Sequence, residues 1–294
     1  MIREIQSNEF SIVEHLIDSF IERMNQDKEM SSQWKDGILR AVELGIITPI
    51  ASFNDQNEPI GFAIFRSLEG EITATHPLDA DWKTWFNDIF HHLRARHSVI
   101  RIRGGAVPES MHDRMIEFGF RRIDLAQMSI RRADIDSLHN AALPENFSIV
   151  LYTEEMKDTV AQMLFESYVG TSFEHHFPDQ IGSVETCKLT LERMNKDEHL
   201  FLLMENDIPI GSCLIVVHGC HGNVGLVAIL PEYRKRGLGR IIVVEALVDA
   251  VKENSEIESI FLEVGHGDSA FRLYESIGFI TNSIQPLFAW SEKG

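Results

Sequence analysis

Residues 231–240 read PEYRKRGLGR, and the rest of the chain is best understood outward from them. They place Arg234, Lys235, Arg236 and Arg240 beside Gly237 and Gly239, in a chain of 294 residues with a formal net charge of -18. From Asn146 onward there are only eleven Lys and Arg, and these are four of them. Upstream, VGLVAIL (224–230) has the apolar run of a strand; downstream, Ile241, Val244, Leu247, Val248 and Val251 recur at helical spacing, which predicts a helix over 238–253. The glycines therefore fall where a strand hands over to a helix. The first turn of a helix leaves backbone N–H groups unpaired, and the helix dipole adds partial positive charge there. Basic residues at that end oppose the dipole unless an anion is held between them. Glycine lets a bulky anion approach the backbone, so a pyrophosphate is the ligand that fits best. No Lys-Ser/Thr follows the glycines, which excludes a P-loop, and G-x-G-x-x-G is absent, which excludes the dinucleotide fingerprint.

Periodicity on either side gives one order of elements twice. In the second half, NFSIVLY (146–152) predicts a strand, MKDTVAQMLFESY and VETCKLTLERM helices, and HLFLLMEND with IPIGSCLIVVHG a hairpin turning at Asn206 and Asp207. After the glycine turn and its helix come a strand SIFLEV (259–264), a helix SAFRLYESIGF (269–279) stopped by Gly278, and a last strand SIQPLFAW. The first half repeats this from IREIQ to LAQMSIRR, and EPIGFAIF echoes IPIGSCLI as MIEFGF echoes YESIGF. A duplication of about 140 residues is implied. We expect a first domain at 1–132, a linker at 133–145 (ADIDSLHNAALPE) and a second domain at 146–294. The fold class is α/β: in each half a mixed sheet covered on both faces, with the strand before the glycine turn parallel to SIFLEV through a helical crossover.

Composition narrows the partners. A net charge of -18 disfavours nucleic acid and anionic membrane surfaces and suits small cationic molecules. MIREIQSNEF lacks the apolar run of a signal peptide and no stretch approaches a membrane span, so a cytoplasmic protein is expected. Cys187, Cys213 and Cys220 are odd in number and fit reduced thiols. HGCHG (218–222) offers His218, Cys220 and His221, too few well-spaced ligands for a metal site, and no metal is expected. Trp82, Trp85 and Phe86 recur at helical spacing and are expected in a core.

LVAILPEYRKRGLGR (226–240) and LEVGHGDSAFRLYESIGF (262–279) resemble the acetyl-CoA loop and the later strand and helix of the GNAT superfamily of N-acetyltransferases. The resemblance covers the second half closely and the first by element order, implying two tandem acyl-CoA N-acyltransferase (GNAT-like) domains. It implies that backbone groups of Val227, Ala228 and Ile229 pair with the pantetheine arm of acetyl-CoA. Arg234, Lys235, Arg236, Gly237, Leu238, Gly239 and Arg240 would hold its pyrophosphate. Tyr274 would be the general acid for the departing thiolate, or else a packing residue. Where the family often has an Asn contacting the CoA arm, this chain has Asp268, which can also cap the following helix. The first half lacks these features: LDADWKTW brings two Asp and no glycine, and Met115 stands in the place of Tyr274, as expected of a degenerate copy.

A lysine-like amine is only about 0.1% neutral near neutral pH, so a base is useful. Glu263, in a strand expected to be buried on both faces, is the candidate, or else it orients the amine. Glu166, His175 and His176 lie in the region that lines the acceptor site in the family. The expected function is transfer of acetyl from acetyl-CoA to a primary amine of a small, cationic molecule by direct attack in a ternary complex. Two alternatives stay open: a peptide or protein N-terminal acetyltransferase, and a non-catalytic acyl-CoA-binding sensor.

Overall fold

The computed structural model of the chain describes residues 2–5, 9, 11–12, 14–18, 35, 38–42, 47–66, 70–77, 82–139, 142–194 and 198–292. The expected helices of the first half before residue 47 lie largely outside them, as does its LDAD segment (78–81). Two compact units form: Met1–Ile123 with Gln285–Gly294, and Asp124–Ile284.

In the first unit, β1 (Ile2–Glu4), β2 (Thr48–Phe53), β3 (Pro59–Arg66) and β4 (Glu71–Pro77) pair antiparallel in that order. Helix α1 (Trp82–Arg94) then carries the chain to β5 (Val99–Arg103), parallel to β4 at Glu71↔Arg101 and Ile72↔Ile102. The helix buries Trp85, Phe86, Ile89, Phe90 and Leu93 against Ile50, Phe65, Ile100 and Ile102. Trp85 Nε1 donates to Ser52 Oγ at 2.8 Å and Trp82 is partly buried, so these aromatics are core, as their spacing predicts. Helix α2 (His112–Glu117) sets Met115 fully into the same core.

In the second unit, β6 (Arg121–Arg131) leads into the short helix α3 (Arg132–Ile135), and β7 (Phe147–Leu151) is followed by α4 (Lys157–Tyr168), α5 (Ser172–His176), α6 (Pro178–Ile181) and α7 (Val184–Glu192). Ser183 caps α7, accepting from Thr186 N at 3.1 Å. Next come β8 (Glu198–Glu205), β9 (Ile208–His218), β10 (His221–Ile229), α8 (Leu238–Glu253), β11 (Ser259–Gly265), α9 (Ser269–Ile277) and β12 (Ile280–Ser291), whose residues from Gln285 onward belong to the first unit. Asn206 and Asp207, both with positive φ (48° and 67°), turn β8 into β9. Five consecutive residues of β8 and seven of β9 are buried, so both faces of the sheet are covered there.

The units divide elsewhere than at the expected linker. β6, last in the first half of the sequence, pairs antiparallel with β11 from Ser259↔Arg131 to Gly265↔Leu125. Leu287–Ser291 of β12, last in the second half, pair with Arg103–Val99 of β5 in the first unit. Each half thus gives its final strand to the other half's unit. Part of the expected linker is core as well: Ile135 is fully buried, and the guanidinium of Arg132, the residue just before the linker, donates to Val251 O at 2.7 Å and Asn254 O at 3.1 Å. Alternation marks a segment as a strand but leaves its partner to be set by whichever edge offers unpaired N–H and C=O groups. No helix among the described residues is long and apolar enough to cross a membrane.

Candidate active site

β10 and β11 run parallel only from His221↔Ser259 to Asn223↔Phe261 and then part. Beyond that point β10 kinks: its register with β9 shifts between Gly225 and Ala228, and Leu226 takes φ 43°. A 3-10 turn (Pro231–Tyr233) then delivers the chain to the glycine turn, and Gly237, φ 80°, is the residue preceding α8.

Among the described residues, the backbone N–H groups from Lys235 to Gly239 find no acceptor in the chain, and pairing resumes only at Arg240 N and Ile241 N, both to Gly237 O (3.1 and 3.2 Å). Lys235 is itself left-handed, φ 61°, a conformation disfavoured for a residue with a Cβ. Left-handed residues at Lys235 and Gly237 turn the chain as in the nests that gather successive N–H groups around an anion, at the positive end of a 16-residue helix. A Cβ on Gly237 would meet nothing within 4 Å, and one on Gly239 would make only ordinary contacts, 3.5 Å to Leu273 and 3.7 Å to Ile229. The packing of the protein therefore does not demand glycine at 239. The space it leaves suits a large anion such as a pyrophosphate.

The cations around this turn divide their roles differently from the sequence expectation. Arg234 donates through Nε to Ile229 O at 3.0 Å and through Nη2 to Ser167 O, fastening the turn to the ends of β10 and α4. Arg240 donates to Ser276 O at 2.8 Å, near the C-terminus of α9, where the dipole favours a cation. The Arg236 guanidinium lies over the rings of Tyr233 (5.3 Å) and Phe147 (5.7 Å), and Tyr233 is held by Glu205 through a 2.5 Å hydrogen bond. Arg234, Arg236 and Arg240 thus brace the turn, adding to its field from a distance. Lys235 alone of the four has no partner among the described residues. We expect Arg234→Met to cost about 1–3 kcal/mol, the worth of its two hydrogen bonds, and several degrees of Tm. Lys235→Met is expected to leave Tm unchanged and weaken CoA binding; thermal melts and calorimetry on both variants check the division.

Tyr274, on α9, is 6% exposed, with its ring edge-on to Phe279 at 5.6 Å. Its hydroxyl makes no hydrogen bond among the described residues, so the packing would be served as well by Phe. Burial, and next the neighbouring Cys213 and Tyr168, hold its pKa well above 10. It is a proton donor at neutral pH. Burial also raises the pKa of Tyr168, of Cys213, and of Cys187, which is pushed up to about 11. In the unfolded chain these groups ionise at about 8.5 (Cys) and 10 (Tyr), while the folded chain keeps their protons. The folded state then binds more protons, so stability is complete below pH 8 and falls as pH rises through 8.5 and again through 10. Tm measured from pH 8 to 11 should decline with that profile, and Tyr274→Phe should flatten its upper limb.

Glu263 departs from expectation. β11 alternates, with Ile260, Leu262 and Val264 buried while Glu263 on the other face is exposed, because only one face of this strand is covered. Its carboxylate accepts from Gln127 Nε2 at 3.1 Å, and Ser283 Oγ donates to Gln127 Oε1 at 2.8 Å. Burial therefore gives no reason for its charge, and its position just past the parting of β10 and β11 is what associates it with the site. Asp268 stands at the N-cap position of α9, yet its side chain takes no bond from the helix and accepts from Ser172 Oγ at 2.9 Å. Glu166 is paired with Gln162 on the helix surface (2.6 Å), and His176 is buried with Nδ1 2.6 Å from Ser172 O; the side chain of His175 lies outside the described residues. At the far end of β10, His221 contacts Ser259 (3.1 Å) and Cys220 (3.7 Å), and among the described residues no group of three or more His, Cys, Asp or Glu could hold a metal. The sequence did not single out Ser212 or Tyr168, whose hydroxyls meet β10 at its kink, because no motif or spacing marks them.

Residues 159–279 match the family model described as Acetyltransferase (GNAT) family. No curated protein matches the chain. Among solved structures, a GCN5-related N-acetyltransferase from Sphaerobacter thermophilus is similar at 15% identity and TM-score 0.63, covering 99% of this chain and 95% of that one. A tandem GNAT protein from the clavulanic acid biosynthesis pathway, solved without AcCoA, gives 9% identity and TM-score 0.60 over 99% and 98% of the two chains. The GCN5-related glucosamine N-acetyltransferase region of a fungal multi-domain GH3 beta-N-acetylglucosaminidase gives 12% and 0.61, over 99% of this chain and 38% of that one. At these identities the likeness is one of fold, and it spans both halves of the chain.

Proposed function

We propose that this protein is an N-acetyltransferase of the GNAT type, supported by the match of residues 159–279 to that family's model and by the tandem GNAT fold, and that it moves acetyl from acetyl-CoA to a primary amine of a small, cationic molecule by direct attack in a ternary complex. One observation carries the reading: the run of unpaired N–H groups at Lys235–Gly239 beside the point where β10 and β11 part.

Acetyl-CoA supplies an activated thioester and, in its pyrophosphate, the anion that such a nest favours. The residues present fit it: Gly237 and Gly239 leave the room, Leu238 and its neighbours the donors, and Lys235 a charge. Val227, Ala228 and Ile229 line the parted edge of β10 and offer main-chain groups to the pantetheine arm. Tyr274 holds the proton for the departing sulfur. Glu263, fixed by Gln127, and the net charge of -18 favour a cationic acceptor. Holding amine and thioester together in the gap draws on orientation, which is worth several kcal/mol of barrier.

Release of free thiol from acetyl-CoA, followed against diamines, polyamines, aminoglycosides and short peptides, tests the proposal. Turnover with a small cationic amine is expected. Turnover with peptides alone would transfer the assignment to N-terminal acetylation, and CoA binding without thiol release from any amine would make the protein a sensor.

A further inference from the structure

The kink of β10 is fastened at two consecutive carbonyls by two buried hydroxyls. Ser212 Oγ, from the neighbouring β9 and fully buried, donates to Leu226 O at 2.7 Å. Tyr168, buried at the end of α4, donates through its hydroxyl to Val227 O at 3.0 Å. Leu226, the first of these two residues, is left-handed, φ 43°, which an L residue with a branched side chain adopts only under constraint. A bulge frees carbonyls from the ladder, and here both freed groups are taken up by side chains from different elements.

The direction of these bonds has a chemical consequence. A peptide unit is planar, with its N–H opposite its C=O. With Leu226 C=O drawn to Ser212 on β9, the N–H of Val227 is turned away from β9, toward the side on which β11 has left β10. We propose that Ser212 and Tyr168 are positioning residues for acetyl transfer, locking the peptides on either side of Val227 so that the Val227 N–H faces the acyl carbonyl. This rests on acetyl-CoA lying in the parted strands, as the proposed function has it. Ser212 prevents the 226–227 peptide from rotating, and Tyr168 does the same for 227–228. Neither touches the glycine turn, so the acyl end and the pyrophosphate end of the cosubstrate are controlled by separate groups. A donor fixed in advance stabilises the charge that develops on the carbonyl oxygen without reorganising during the reaction.

The test is infrared difference spectroscopy on acetyl-CoA carrying 13C at the acetyl carbonyl, with CoA titrated in parallel by calorimetry. In the wild type the carbonyl stretch is expected below its value in free acetyl-CoA. In Tyr168→Phe and in Ser212→Ala it should return toward the free value, while CoA affinity stays unchanged and acetyl transfer slows by about tenfold to a hundredfold, the effect of misplacing a reacting group. A carbonyl stretch at its wild-type position in both variants overturns the inference. So does a wild type that binds CoA yet leaves the carbonyl unshifted, and that result would leave the proposed function standing. A wild type that binds no CoA removes both. Near-UV dichroism reports whether each variant is folded, and either one alone suffices for the comparison.

Discussion

Gly237→Glu and Gly239→Glu are each expected to lower CoA affinity by at least about 10³-fold, since like charges set against each other cost several kcal/mol. The carboxylate would enter the nest formed by the N–H groups of Lys235–Gly239 and meet the incoming pyrophosphate. Alanine at the same positions separates the causes. At Gly239 a Cβ stands 3.5 Å from Leu273, an ordinary contact, so Gly239→Ala should fold with wild-type stability and bind CoA less tightly. At Gly237 the backbone φ of 80° makes Gly237→Ala strained by about 1–2 kcal/mol even though its Cβ meets nothing. Calorimetric titration of CoA into the four variants, with thermal melts as control, checks this. Undiminished heat of binding in the two glutamate variants would show that the anion is held elsewhere.

Tyr274→Phe is expected to reduce kcat by about 10²- to 10⁴-fold, the usual worth of a positioned general acid, with CoA affinity unchanged. The hydroxyl makes no hydrogen bond among the described residues, so its removal should leave Tm near neutral pH within a degree or so of the wild type. Any large loss of rate then reports chemistry and not packing. Because burial raises the tyrosine's pKa well above 10, the wild-type rate should show no loss from deprotonation of this acid between pH 7 and 9. An unchanged kcat in Tyr274→Phe would reduce the residue to a packing role against Phe279, 5.6 Å away.

Much of the second unit is legible from neighbouring residues alone. The apolar spacing of Ile241, Val244, Leu247 and Val251 fixes α8, the Asn206-Asp207 pair fixes the hairpin, and Gly278, with φ 120°, stops α9. Side-chain roles are less legible. Glu263 has apolar neighbours on both sides in SIFLEV, which suggests burial, but alternation turns it to the uncovered face. Arg234 and Arg240 read as ligands by their charge, and the sequence does not show that carbonyls of Ile229, Ser167 and Ser276, two of them distant in sequence, take up some of their donors.

By itself the sequence determined the order of elements, the doubling of the plan and the position of the glycine turn. These follow from helical and strand periods and turn propensities, which act over a few residues. Only the tertiary structure decided that β6 completes the sheet beside β11, that Leu287–Ser291 complete the sheet beside β5, and that Ser212 and Tyr168 meet β10 at its kink. The physical reason is that an open strand edge or a freed carbonyl accepts any donor geometry brings to it, and nothing local in the sequence records which segment that will be.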